Sequence, residues 1–231
     1  MVIRPPRQQT AFWKKQYGGL DTSHVSRLVK TFQGMGDGMI VCPKPTAIND
    51  FQETCDGGSI SFENDWRVAR SKIFDLLKKV YGSFHNRIDG RASPEYSRLT
   101  ETTKQFLELL CRKMPGDFLV IPLKSGFFWE KNLEARHVRM QYGQNEFGIC
   151  TFLAGCILSS HSNPTVGDNQ IHLECSGEEW NLHGMSDFSD VPYFHSDGDG
   201  LHLDCHWAYD VFNGFIPTSC LIPSEFSRSV S

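Results

Sequence analysis

Between residues 193 and 207 the chain alternates strictly on both sides of a short break. Tyr193-Phe194-His195-Ser196-Asp197 leads into Gly198-Asp199-Gly200, and Leu201-His202-Leu203-Asp204-Cys205-His206-Trp207 follows. A period of two is the pattern of a strand with one face buried, because successive side chains point to opposite sides of a sheet. It does not fit a helix, whose buried stripe recurs every three or four residues. The segment therefore predicts two strands, and the Gly/Asp break predicts a tight turn between them.

Parity then fixes which side chains share a surface. On the second strand His202, Asp204 and His206 point one way, and Leu201, Leu203, Cys205 and Trp207 point to the core. On the first, Tyr193, His195 and Asp197 share a side. A two-residue loop across Gly198-Asp199 or Asp199-Gly200 pairs an even position with an odd one, so both polar sets fall on the same face. A third alternating run, Ile171-His172-Leu173-Glu174-Cys175, adds His172 and Glu174 if it is a neighbour. Neutral imidazoles with carboxylates are the donor set of zinc, manganese and non-haem iron. The candidate metal ligands are His195, His202, Asp204 and His206, with Asp197, Glu174 and His172 as auxiliary groups. The competing explanation is a sheet that is packed on one side and solvated on the other. Two familiar metal patterns fit poorly. The pairs His195-x-Asp197 and His202-x-Asp204 match the H-x-D of iron and 2-oxoglutarate oxygenases, yet no His follows His206 to complete a triad. Asp197-x-Asp199-Gly200 opens like a calcium loop, but Ala208 stands where the bidentate Glu belongs.

Upstream the dominant period is helical. Trp66, Ala69, Ile73, Leu76, Leu77 and Val80 lie on one face of residues 65–81, with Asn64 as the expected cap and Gly82 just past the end. A second helix is predicted over 101–114, capped by Thr100 and stopped by Pro115-Gly116, and a short one over 23–32. Strands are expected over 39–42 and 118–123. Residues 127–142 fit either period, and the apolar run 147–158 reads as core. Asn213-Gly214 is a further hairpin signal. The fold class is α+β: a mainly helical N-terminal half, and a C-terminal half forming an antiparallel sheet with hairpins and helices packed on one face. The reading is one domain over 1–231, with a conceivable sub-boundary near 115–125.

Composition narrows the partners. A net charge of −4 removes the overall attraction to phosphate backbones, which disfavours nucleic acid. No apolar run approaches the roughly 20 residues of a membrane span, and residues 1–9 lead into no signal-peptide core, so a cytoplasmic, non-membrane protein is expected. The eight cysteines include no C-x-x-C and mostly sit in apolar stretches, as small buried hydrophobes do. No G-x-S-x-G is present. Cys150 or Cys156 with His161 lies in apolar surroundings that raise a thiol pKa and make it inert. Phe128 and Trp129, beside Lys124 and Lys131, could anchor a protein partner or be buried. Two functions remain: a non-catalytic protein-interaction or binding module, favoured because every complete catalytic signature is missing, and a divalent-metal hydrolase built on the C-terminal sheet.

Overall fold

The computed structural model describes residues 4–49, 62–88, 95–125, 134–160, 172–182, 187–197, 199–210 and 216–227. In chain order the elements are α1 (Pro6–Gln16), α2 (Val25–Thr31), β1 (Gly38–Pro43), α3 (Pro45–Ile48), α4 (Phe62–Tyr81), β2 (Phe84–Asn86), β3 (Ser97–Leu99), α5 (Glu101–Lys113) and β4 (Phe118–Ser125). They continue with α6 (Ala135–Met140), β5 (Glu146–Gly148), α7 (Thr151–Ser160), β6 (His172–Glu174), β7 (Glu178–Trp180), β8 (Asp190–Asp197), β9 (Gly200–Trp207), β10 (Ile216–Leu221) and α8 (Ser224–Ser227). Helices and a mixed, mostly antiparallel sheet make this an α+β fold.

The strands form one sheet in which β1, β4, β10, β6 and β8 follow one another, and β9 and β2 extend it beyond β8. Two pairings are parallel, β10 with β6 and β2 with β9. Neither was legible locally, because alternation reports a face and not a direction. The helices α4 and α7 cover one face, where Phe74, Phe84 and Phe194 meet ring to ring. All ten residues of α7 are buried, as a helix that is apolar on every side must be. The main core runs continuously from Trp13 to Ile222. On the opposite face, Ala135 of α6 packs with Val191 and Ala208 in a small separate cluster.

Local signals hold with small corrections. The side chain of Thr100 accepts a bond from the Thr103 amide and caps α5. Gly82 takes a positive φ of 67° just beyond α4. The start of α4 lies at Phe62, so Asn64 falls inside the helix and is not its cap. Trp207 was expected to turn inward and is 53% exposed, because the sheet ends there. The Asn213-Gly214 turn lies outside the described residues.

The sequence reading missed α1, and its role is specific. A sheet edge offers unpaired backbone groups to any passing strand. Here the Gln9 amide occupies that edge, donating to the Met39 carbonyl and accepting from the Val41 amide, both at 2.8 Å. The Trp13 indole donates to the Val41 carbonyl at 2.8 Å. Gln9→Leu leaves a buried donor and acceptor unpaired, so a loss of about 1–3 kcal/mol is expected in urea unfolding. A loss below about 0.5 kcal/mol would mean that water reaches this edge.

Candidate metal site on the outer face of the sheet

The predicted hairpin forms with the turn at its first alternative. Asp197 pairs with Gly200, His195 with His202, Tyr193 with Asp204 and Val191 with His206. Gly200 is required there, since a Cβ on it would lie 2.6 Å from the Ser83 carbonyl oxygen. The third alternating run is indeed the neighbour: His172 pairs with His195 and Glu174 with Tyr193. On the far side of β9, the parallel strand β2 sets His85 beside His202. Four strands thus carry four histidines in one row. The ring centroids are 6.3 Å apart from His172 to His195, 4.9 Å from His195 to His202 and 4.6 Å from His202 to His85, with ring planes within 20° of parallel at each step.

The turn end of this row gathers donor atoms. His202 Nε2 lies 2.8 Å from Asp197 Oδ1 and 2.7 Å from Asp199 Oδ1. Carboxylates accept, so Nε2 carries the proton that both share. One ligand atom from each of His85, Asp199 and His202 lies within 4.8 Å of the other two, and among the described residues no other His, Cys, Asp and Glu side chains make such a group. His85 and Asp199 are exposed and His202 is buried. Ser83 Oγ ties the corner together, bonding His85 Nε2 and the Asp199 carbonyl at 2.8 Å each. The neighbouring Asp199, through its side chain and amide, and then His202 hold the Asp197 carboxyl below its ordinary value. Just behind this corner, His202 Nδ1 and His195 Nε2 are buried without a hydrogen-bond partner among the described residues. An orphaned buried polar atom carries a real cost.

The expected ligands therefore divide among three places. His195 and His202 stand side by side in the row. Asp204 Oδ2 pairs with Arg87 at 3.0 Å. His206 lies farther along β9, its Nε2 3.3 Å from Glu174 Oε2 and its Nδ1 donating to the Trp207 carbonyl at 2.9 Å. Among the auxiliary groups, Asp197 reaches the corner, His172 ends the row, and Glu174 belongs to the pair with His206. Phe128, Trp129 and His161 lie outside the described residues. Burial pushes the Cys150 thiol up to about 12, in keeping with an inert core cysteine.

The polar face is not simply solvated, for His202, His206 and Glu174 are all buried. Burial, reinforced by the neighbouring His202, pulls the pKa of His195 below its ordinary value, and burial does the same to His172. Between the ordinary histidine value near 6.5 and those lowered values, the unfolded chain takes up protons that the folded chain refuses. Stability of metal-free protein is expected to hold above about pH 7 and to fall as the pH drops through 6 toward 5. Urea midpoints at pH 7.5 and 5.5 check this, with His195→Gln showing the smaller decline. An equal decline in both proteins would remove His195 from the account.

Sequence reasoning missed His85 and Asp199. Phe84-His85 does alternate inward and outward, but a three-residue run shows too little periodicity to stand out, and its partner strand lies far along the chain. Asp199 was visible only as a turn residue and in the poorly fitting opening of a calcium loop. Compared with family models, curated proteins and solved structures, the chain shows no match. Among the described residues, no helix is long and apolar enough to cross a membrane.

Proposed function

We propose that this protein is a binding module for a divalent transition-metal ion, held by His85, Asp199 and His202 with Asp197 beside them. The convergence of three donor atoms from β2, the hairpin turn and β9 within 4.8 Å carries this reading. Two imidazoles and a carboxylate favour zinc, with manganese and iron(II) as competitors, over calcium, which takes six to eight oxygens. The ion replaces the proton that Asp197 and Asp199 now share at His202 Nε2, so uptake releases protons and weakens in acid.

A hydrolase is the second reading. Three protein ligands leave one tetrahedral position for water, the pattern of catalytic zinc sites, and a bound ion brings the pKa of that water near neutrality. The exposure of His85 and Asp199 favours this openness. Metal analysis of protein purified without a histidine tag, followed by zinc titration of the variants argued in the Discussion, tests the shared premise. Hydrolysis of model esters by zinc-loaded protein, lost on removing zinc, separates the second reading from the first.

A further inference from the structure

Resting on that metal reading, we propose that the ion works as a clamp, fixing the edge strand β2 and the end of α4 to the tip of the β8–β9 hairpin. The strand β2 has three residues and pairs with β9 in parallel. It is the last strand on its side of the hairpin among the described residues. Beyond its short ladder with β9 and the Phe84 ring in the aromatic cluster, few bonds hold it. Leu201 donates to the Ser83 carbonyl at 3.0 Å, and Arg87 donates to the Leu203 carbonyl at 3.1 Å. The bond from Ser83 Oγ to the Asp199 carbonyl is exposed, and Arg87, which pairs with Asp204, has a side chain 59% exposed. Short edge segments held by exposed bonds open far more often than the whole fold unfolds.

The three donors sit across this weak seam. His85 belongs to β2, which follows α4 directly after Gly82 and Ser83, Asp199 is the turn, and His202 belongs to β9. When β2 lifts away, the ion keeps Asp199 and His202 but loses His85. It therefore binds the closed arrangement more tightly than the open one, and only such a difference in affinity can shift the equilibrium. The buried His202 anchors the clamp, since its ring is held in place by His195 on one side and His85 on the other. The closed state is already assembled around the site, with Gly200 pressed on Ser83 so closely that no side chain fits between them. The ion thus adds a cross-link to an existing contact without remaking the fold.

Amide hydrogen exchange on the full chain tests this, comparing metal-stripped protein with protein saturated with zinc, whose binding is measured by calorimetry on the same samples. The amides of Leu201 and Arg87 are expected to exchange about tenfold more slowly with zinc, while those of the β1–β4 pair keep their rates. His85→Asn should remove most of this local slowing. Stoichiometric zinc with unchanged exchange at Leu201 and Arg87 overturns the clamp and leaves the metal reading standing. Equal slowing in β1–β4 overturns it as well, because the effect is then global. Full slowing in the His85→Asn protein overturns the role of β2. Failure of zinc to bind at all overturns both proposals together.

Discussion

Arg70→Met is expected to destabilise the fold by about 3–5 kcal/mol, the usual cost of leaving one half of a buried ion pair behind. Arg70 Nη1 lies 2.5 Å from Glu178 Oε1, and the two side chains are 1% and 0% exposed. The guanidinium lies 4.5 Å from the centre of the Trp66 ring and 5.2 Å from that of Trp180. The carboxylate is saturated: Oε1 also accepts from the Trp180 indole at 2.8 Å, and Oε2 accepts from the Thr151 amide and hydroxyl. This one pair therefore joins α4, the start of α7 and β7. Removing the arginine leaves Glu178 with neutral donors only, in a place water does not reach. Urea unfolding measures the loss. Because total stabilities run at about 5–15 kcal/mol, the variant sits near the edge of folding. A double variant, Arg70→Met with Glu178→Gln, is expected to recover part of the loss, since it removes the stranded charge. A single-variant cost under about 1 kcal/mol would show that the carboxylate finds other compensation.

The second large effect concerns the metal. Zinc affinity in the His202→Ala protein is expected to fall by more than about 100-fold, exceeding the 10- to 100-fold typical of losing a supporting residue behind a ligand. His85→Ala and Asp199→Asn should fall in the same range. Asp204→Asn and His206→Gln should stay within about threefold of the parent, because Asp204 faces Arg87 and His206 faces Glu174. Calorimetric titration at pH 7.5 reads all five, with circular dichroism confirming that each variant folds. Proton release on binding follows from comparing buffers of different ionisation enthalpy, and the affinity should decline at pH 6. If Asp204→Asn and His206→Gln lose zinc while His85→Ala keeps it, the ligands are those the alternation singles out and the corner described here is not the site.

Those contrasts show where sequence reading stops. The alternation of residues 193–207 was enough to establish two strands, the turn between them and the common face of His195, His202, Asp204 and His206. Each of these follows from the two-residue period and from turn chemistry, which are local. Alternation does not, however, give distance along the face. Asp204 and His206 share the side of His202 but stand two and four pairs farther down the ladder, where other partners claim them. The amphipathic stripe of α4 was legible for the same local reason, whereas the burial of Arg70 on that helix was not, since its partner Glu178 enters from a distant strand.

The sequence by itself determined which segments extend, which coil, and which side of each strand is polar, because backbone sterics and the burial of apolar surface act over a few residues at a time. Only the tertiary structure decided that β2 lies parallel to β9 and that the turn carboxylate of Asp199 meets His85 and His202. Strand order and direction depend on how α4, α7 and the aromatic cluster of Phe74, Phe84 and Phe194 pack. That packing is a property of the whole chain and leaves no periodic trace in any one segment.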